Sequence, residues 1–120
     1  MAATVNFSIK NNVWFVNAFQ FGGVGDTSWS FTGKNFLCDL KSDPGQTKAD
    51  LSLSSTETPA TIVVTDAVAR VLQFNVHDLA IRNKLQPGPY QYDLIMVDVG
   101  TGERDPLMGG VITVEQGVTI

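Results

Sequence analysis

Reactive side chains are scarce in this chain: among 120 residues there is one cysteine, Cys38, and one histidine, His77. A lone cysteine closes no internal disulfide and belongs to no CxxC pair or Cys/His ligand set. A lone histidine cannot supply an HExxH metal helix, and no GxSxG elbow or Gly-rich phosphate loop is present. Charge is sparse as well, at 17% of residues against an average of about 25%. A net charge of -4 and a pI near 4.6 give little long-range attraction for phosphate backbones or anionic lipid, so neither nucleic acid nor a membrane is an expected partner. No apolar run reaches the roughly 18 residues that a spanning helix needs. Asn6, Ser8, Lys10, Asn11 and Asn12 interrupt the stretch where a signal peptide would be continuously apolar, so synthesis in the cytosol is expected. The acidic pairs Asp39/Asp43 and Asp98/Glu103 lack the alternate-oxygen spacing of a calcium loop and read as solvated turn carboxylates. No metal and no cofactor is expected, and the chain reads as non-enzymatic.

What the chain does have is apolar residues, 43% of the total, arranged with a period of two. Its length suits a single domain over 1–120 that buries roughly two thirds of its unfolded surface. Val5, Phe7 and Ile9 alternate with polar neighbours, as do Phe36, Cys38 and Leu40, then Leu51 and Leu53, then Leu72, Phe74 and Val76. Thr61 to Thr65 is a β-branched run. Cys38 falls on an inward position, where it acts as a small hydrophobe. Asp43-Pro44-Gly45, Glu57-Thr58-Pro59 and Pro87-Gly88 break the chain at the spacing of a sandwich or barrel. The fold class expected is therefore all-β: an antiparallel immunoglobulin-like sandwich of about seven to eight strands with one short helical connection. That connection is His77 to Lys84, acidic at its start and basic at its end, with Asp78 and Arg82 one turn apart and Leu79 or Ile81 plugging the core. His77 itself reads as a surface or capping residue.

The last third is the most explicit. Pro87-Gly88 turns the chain, Tyr90 to Val99 has strand length, Asp98, Gly100 and Gly102 reverse it, and Met108 to Glu115 supplies a partner strand. Tyr90, Tyr92, Leu94 and Met96 share one face, while Ile95 and Val97 make the other apolar past its midpoint, the pattern of a central strand. In immunoglobulin-type sandwiches a tyrosine at such a place returns its hydroxyl to upstream backbone. Tyr90 is the candidate for this structural corner and Tyr92 the alternative; covering of the sheet rim by both is the plain structural reading.

Aromatics crowd the first 36 residues: Phe7, Trp14, Phe15, Phe19, Phe21, Trp29, Phe31 and Phe36. Rings exposed on a domain surface mark contact surfaces, since they bury much area at small entropic cost. Trp14, Phe15, Phe19, Phe21 and Trp29 are accordingly the interface candidates, with residues 1–24 an N-terminal strand or an arm used in assembly. The plainer alternative puts Trp14 or Trp29 at the sandwich centre. Residues 22–30 look mobile.

Several segments, taken in order, resemble small immunoglobulin-like domains of tailed-bacteriophage virion proteins, found in baseplates, tail fibres and accessory components. They are Trp29-Ser-Phe-Thr-Gly33, the strand FLCDLKSDPG, LQPGPYQYDLIM, and DPLMGGVITVEQGVT up to Val118-Thr119. The resemblance covers about residues 25–120 and leaves Val5 to Phe21 unmatched. It implies an attachment or assembly module of the virion, made in the host cytoplasm, whose partners are other virion proteins and further copies of itself. A carbohydrate-binding sandwich is the alternative, with Trp14 or Trp29 as stacking platform and Asp26 nearby for glycan hydroxyls.

Overall fold

Alternation along the sequence becomes nine strands and one helix in the computed structural model, which describes residues 3–22 and 29–118. In order these are β1 Ala3–Thr4, β2 Phe7–Lys10, β3 Phe15–Gln20, β4 Lys34–Lys41, β5 Leu51–Ser54, β6 Ile62–Asp66, β7 Val71–Val76, α1 Asp78–Lys84, β8 Gly88–Asp98 and β9 Arg104–Glu115. Two sheets face each other. The larger runs β1-β9-β8-β4-β5, with β2 also on β9; the smaller runs β3-β7-β6. A three-stranded sheet opposite a sheet whose centre is β9-β8-β4, extended by β5, is the immunoglobulin arrangement with the extra strand of the variable type.

β8 lies between β4 and β9, which accounts for its two apolar faces. The hairpin partner starts earlier than its apolar residues imply: β9 begins at Arg104, and a register shift between Leu94 and Ile95 accommodates Pro106 inside the strand. Three features depart from the expected layout. The first strand is split at Val5-Asn6, because the Val5 carbonyl accepts Tyr92 Oη (2.7 Å) and Asn6 Oδ1 accepts the Val111 N–H (2.9 Å). Both pieces pair with β9 in parallel, Ala3 beside Met108 and Phe7 beside Ile112, so the sandwich is not purely antiparallel. Residues 15–20, which the alternation does not disclose, form β3. Between the strand and arm readings of the N-terminal segment, strands hold for the described residues; 1–2 and 23–24 lie outside them, as do 23–28 of the loop expected to be mobile.

The core explains the crowding of early aromatics. Phe7 packs on Phe15, Phe19 and Tyr92 at 5.6, 5.9 and 5.6 Å, and Phe15 and Phe19 reach Phe74 at 5.4 and 5.7 Å. A second group joins Phe31 to Phe21, Trp29 and Phe36. Neither tryptophan occupies the centre, which is filled by Phe36, Cys38, Phe74 and Leu94.

The helix starts at His77, whose Nδ1 accepts the Leu79 N–H (3.0 Å), and Asp78 pairs with Arg82 at 3.2 Å. Ile81 is its core plug, while Leu79 remains exposed. After the helix, Tyr90 Oη accepts the Gln86 N–H (2.8 Å) and donates to the Gln86 carbonyl (2.9 Å), pinning the corner where the chain changes sheets. Two residues on, where antibody domains carry an inter-sheet cysteine, stands Tyr92.

Candidate functional site

The outer face of the larger sheet is built by the outward positions of β4 and β8: Leu37, Asp39 and Lys41 beside Ile95, Asp93 and Gln91. Asp39 lies directly opposite Asp93. Facing carboxylates in a sheet oppose pairing, so the strands hold together here despite that contact. Room for Asp93 comes from β9, since a Cβ on Gly109 would stand 2.7 Å from Asp93 Oδ1. At Gly110, with φ +149, a Cβ would meet the Val5 carbonyl and Asn6 Oδ1 at 2.5 Å, so only glycine lets the N-terminal segment press against β9. The result is a groove of about 810 Å³ with Asp39, Asp93, Lys41 and Arg104 around an apolar floor of Leu37, Ile95 and Val111. The ion pairs among the described residues, Lys34–Asp98, Asp78–Arg82 and the His77–Asp78 contact, lie elsewhere. Among the described residues no three His, Cys, Asp or Glu side chains are placed to hold a metal. The groove can recognise polar and charged groups of another molecule.

Electrostatics concentrate at the β8–β9 turn. Asp98 accepts from Lys34 Nζ (2.5 Å), Gly100 N–H (2.8 Å) and Thr101 N–H (3.0 Å). The lysine first, then the two amides, hold its carboxyl down at about 2, and the same bond raises Lys34. Burial, with Asp39 and Asp93 adding to it, pushes the Cys38 thiol far up, which makes it an inert core group. Burial also raises the Tyr92 hydroxyl to about 12.

The second surface is the open side of β3. Phe21 N–H donates to the Arg70 carbonyl (3.0 Å), which sets the phase of the β3–β7 ladder: Phe15, Asn17 and Phe19 exchange bonds with β7. Val16, Ala18 and Gln20 turn their amides and carbonyls outward, and among the described residues no backbone partner meets them. Their side chains line the outer face of the smaller sheet with Val63, Val71, Gln73 and Asn75; β3 itself contributes no charge to that face, and Asp66, opposite Val71, stands at its far margin on β6. Val13, Trp14 and Val16, each just over half exposed, lead into this edge, and the Trp14 ring rests on His77 at 4.3 Å.

Of the five interface candidates, then, Trp14 is the exposed one. Phe15 is buried at 8% exposure, because its register points it at the opposite sheet, and it is corrected from interface to core. Phe19 and Phe21 are half-buried against the same core. Trp29 is half-buried, edge-on to Phe31, and lies under the Arg70 guanidinium at 5.3 Å. Asp26, named with it, lies outside the described residues.

Arg70 is the residue that sequence reasoning missed. It is 1% exposed with φ +60, and its guanidinium donates to the carbonyls of Phe21 (2.8 Å), Trp29 (3.1 Å) and Val68 (3.1 Å). No local pattern in Asp66-Ala-Val-Ala-Arg70 distinguishes it from a solvated turn arginine.

No family model and no curated protein matches the chain. Among solved structures, the NK cell receptor Nkp44, described as a triggering partner in natural cytotoxicity, is similar over 96% of this chain and 99% of its own, with a TM-score of 0.48 and 12% identity. The immunoglobulin-like arrangement stands on the strand order itself.

Proposed function

We propose that this protein is a non-enzymatic assembly module that acts through protein–protein contacts in the virion of a tailed phage. Its partners are other virion proteins and further copies of itself, and it is made in the host cytoplasm before incorporation. The observation that supports this reading is the β3 margin: an open strand edge without charge, preceded by exposed Val13 and Trp14. Unpaired strand edges are templates for another chain, and folded proteins ordinarily blunt them with charge, proline or bulges. The virion setting follows the sequence resemblance, carried by Trp29 to Gly33, the Pro87 to Leu94 corner and the Gly110 to Val114 strand.

Density-gradient purification of particles from the source lysate, probed with an antibody to this chain, tests the setting. Co-migration of the chain with intact particles in fixed stoichiometry to the major structural protein is expected. Recovery only in the unassembled soluble fraction overturns it.

A further inference from the structure

We propose that β3 pairs with β3 of a second copy of this chain, antiparallel about a two-fold axis at Ala18, joining two three-stranded sheets into one six-stranded sheet. This rests on the assembly reading above and gives it a surface and a register.

Four observations converge on a second copy as the occupant. First, the phase of the ladder turns the backbone groups of Val16, Ala18 and Gln20 outward, and Ala18 is the middle of the three. A two-fold axis there sets Val16 opposite Gln20 and Ala18 opposite Ala18, so every outward amide and carbonyl meets its complement in a hydrogen-bonded pair. Second, the smallest side chain of the strand stands at the axis, where two identical side chains face each other. Third, charge is missing from Asn11 to Gly25. An edge that meets itself meets its own charges, so neutrality is the condition self-pairing imposes, whereas a foreign strand could be matched by opposite charge. Fourth, Asn17 points toward the opposite sheet and yet is exposed, with half-buried Phe19 beside it. The sandwich is therefore open along this margin, and in the Ala18-centred register Asn17 of each copy faces Phe19 of the other and closes it. The same register carries exposed Trp14 to Gly22 of the second copy.

The remaining margins do not offer this. β5 has its terminal Ser54 amide and carbonyl taken up by Thr61 (2.9 and 3.2 Å), and β6 carries a register shift between Val64 and Asp66. The β1–β2 margin is interrupted at Val5-Asn6.

Cysteine scanning of the full chain tests the register. Facing residues of a hydrogen-bonded antiparallel pair have Cα atoms about 5.5 Å apart, within the roughly 4.4–6.8 Å that a disulfide spans. Ala18→Cys is expected to form a covalent dimer under mild oxidation or with a short bifunctional thiol reagent, and buried Cys38 does not compete. Val16→Cys alone is expected to stay uncrosslinked, while an equal mixture of Val16→Cys and Gln20→Cys crosslinks. Ala18→Lys, at an exposed position, sets like charges across the axis and is expected to weaken self-association at least a hundredfold in light scattering, with an unchanged circular dichroism spectrum. A wild-type chain that stays monomeric to millimolar concentration overturns the pairing, and the particle fractionation then decides the assembly reading separately. A wild-type dimer in which Ala18→Cys does not crosslink overturns this edge and leaves self-association through another surface.

Discussion

The larger sheet is tied along its length by contacts between residues far apart in sequence, whereas the smaller sheet depends on one turn and leaves a side open. Tyr92 to Val5, Asn6 to Val111 and Lys34 to Asp98 each join separate segments of the larger sheet. The smaller sheet is held at its β6–β7 turn by Arg70, whose guanidinium donates to the carbonyls of Phe21, Trp29 and Val68. The difference is instructive about where robustness and association are found in a sandwich. Distributed ties make a sheet tolerant; a concentrated tie frees the rest of a sheet to present an unblunted edge.

Substitution at Arg70 breaks the comparison most sharply. Arg70→Met takes the guanidinium donor from the carbonyls of Phe21, Trp29 and Val68 and is expected to cost about 3 kcal/mol, on the order of 10 °C in Tm for a domain of this size; a loss below about 1 kcal/mol in urea titration would show that the smaller sheet is also redundantly tied. Tyr90→Phe removes both bonds to Gln86 and is expected to lower stability by about 1 kcal/mol or somewhat more. Tyr92→Phe removes a single bond and should cost less, near 1 kcal/mol, with the difference read from paired thermal melts. Relief of a built-in conflict gives the opposite sign: Asp93→Asn ends the facing of two carboxylates and is expected to stabilise by about 0.5 kcal/mol, measured by chemical denaturation at low salt.

The smallest effect is that of pH on the β8–β9 turn. Asp98 sits below its unfolded value of about 3.9, so its stabilising contribution is complete above that value and disappears as pH falls through about 2. Lys34 is raised, so its share is present below the ordinary lysine value and is lost only as pH rises past it. Amide exchange at Gly100 and Thr101 is expected to accelerate selectively, after correction for intrinsic rates, between pH 4 and about 2. Asp98→Asn should flatten that acid dependence.

Local chemistry makes much of the fold readable in the sequence. β4, β5, β7 and the β8–β9 hairpin are short-range patterns bounded by Pro and Gly, and the helix announces itself through Asp78 and Arg82. β3 escaped because Asn17 interrupts its inward row, a polar residue permitted there only by the open margin. The parallel placement of β1 and β2 is a long-range choice, made by Tyr92 and Gly110 on strands more than 80 positions away. For the same reason the early aromatics read as an interface: periodicity marks a residue as apolar, and only register decides whether it faces the partner sheet, as Phe15 does, or solvent, as Trp14 does.

The parallel seam between β2 and β9 also fixes how the domain answers force. Tension applied at the beginning of β2 and at the end of β9 acts along both strands in opposite senses, so the four residue pairs from Phe7–Ile112 to Lys10–Glu115 are sheared together and cannot be peeled one by one. A domain wired this way yields abruptly at a high load, whereas traction at the ends of the β8–β9 hairpin would unzip it pair by pair.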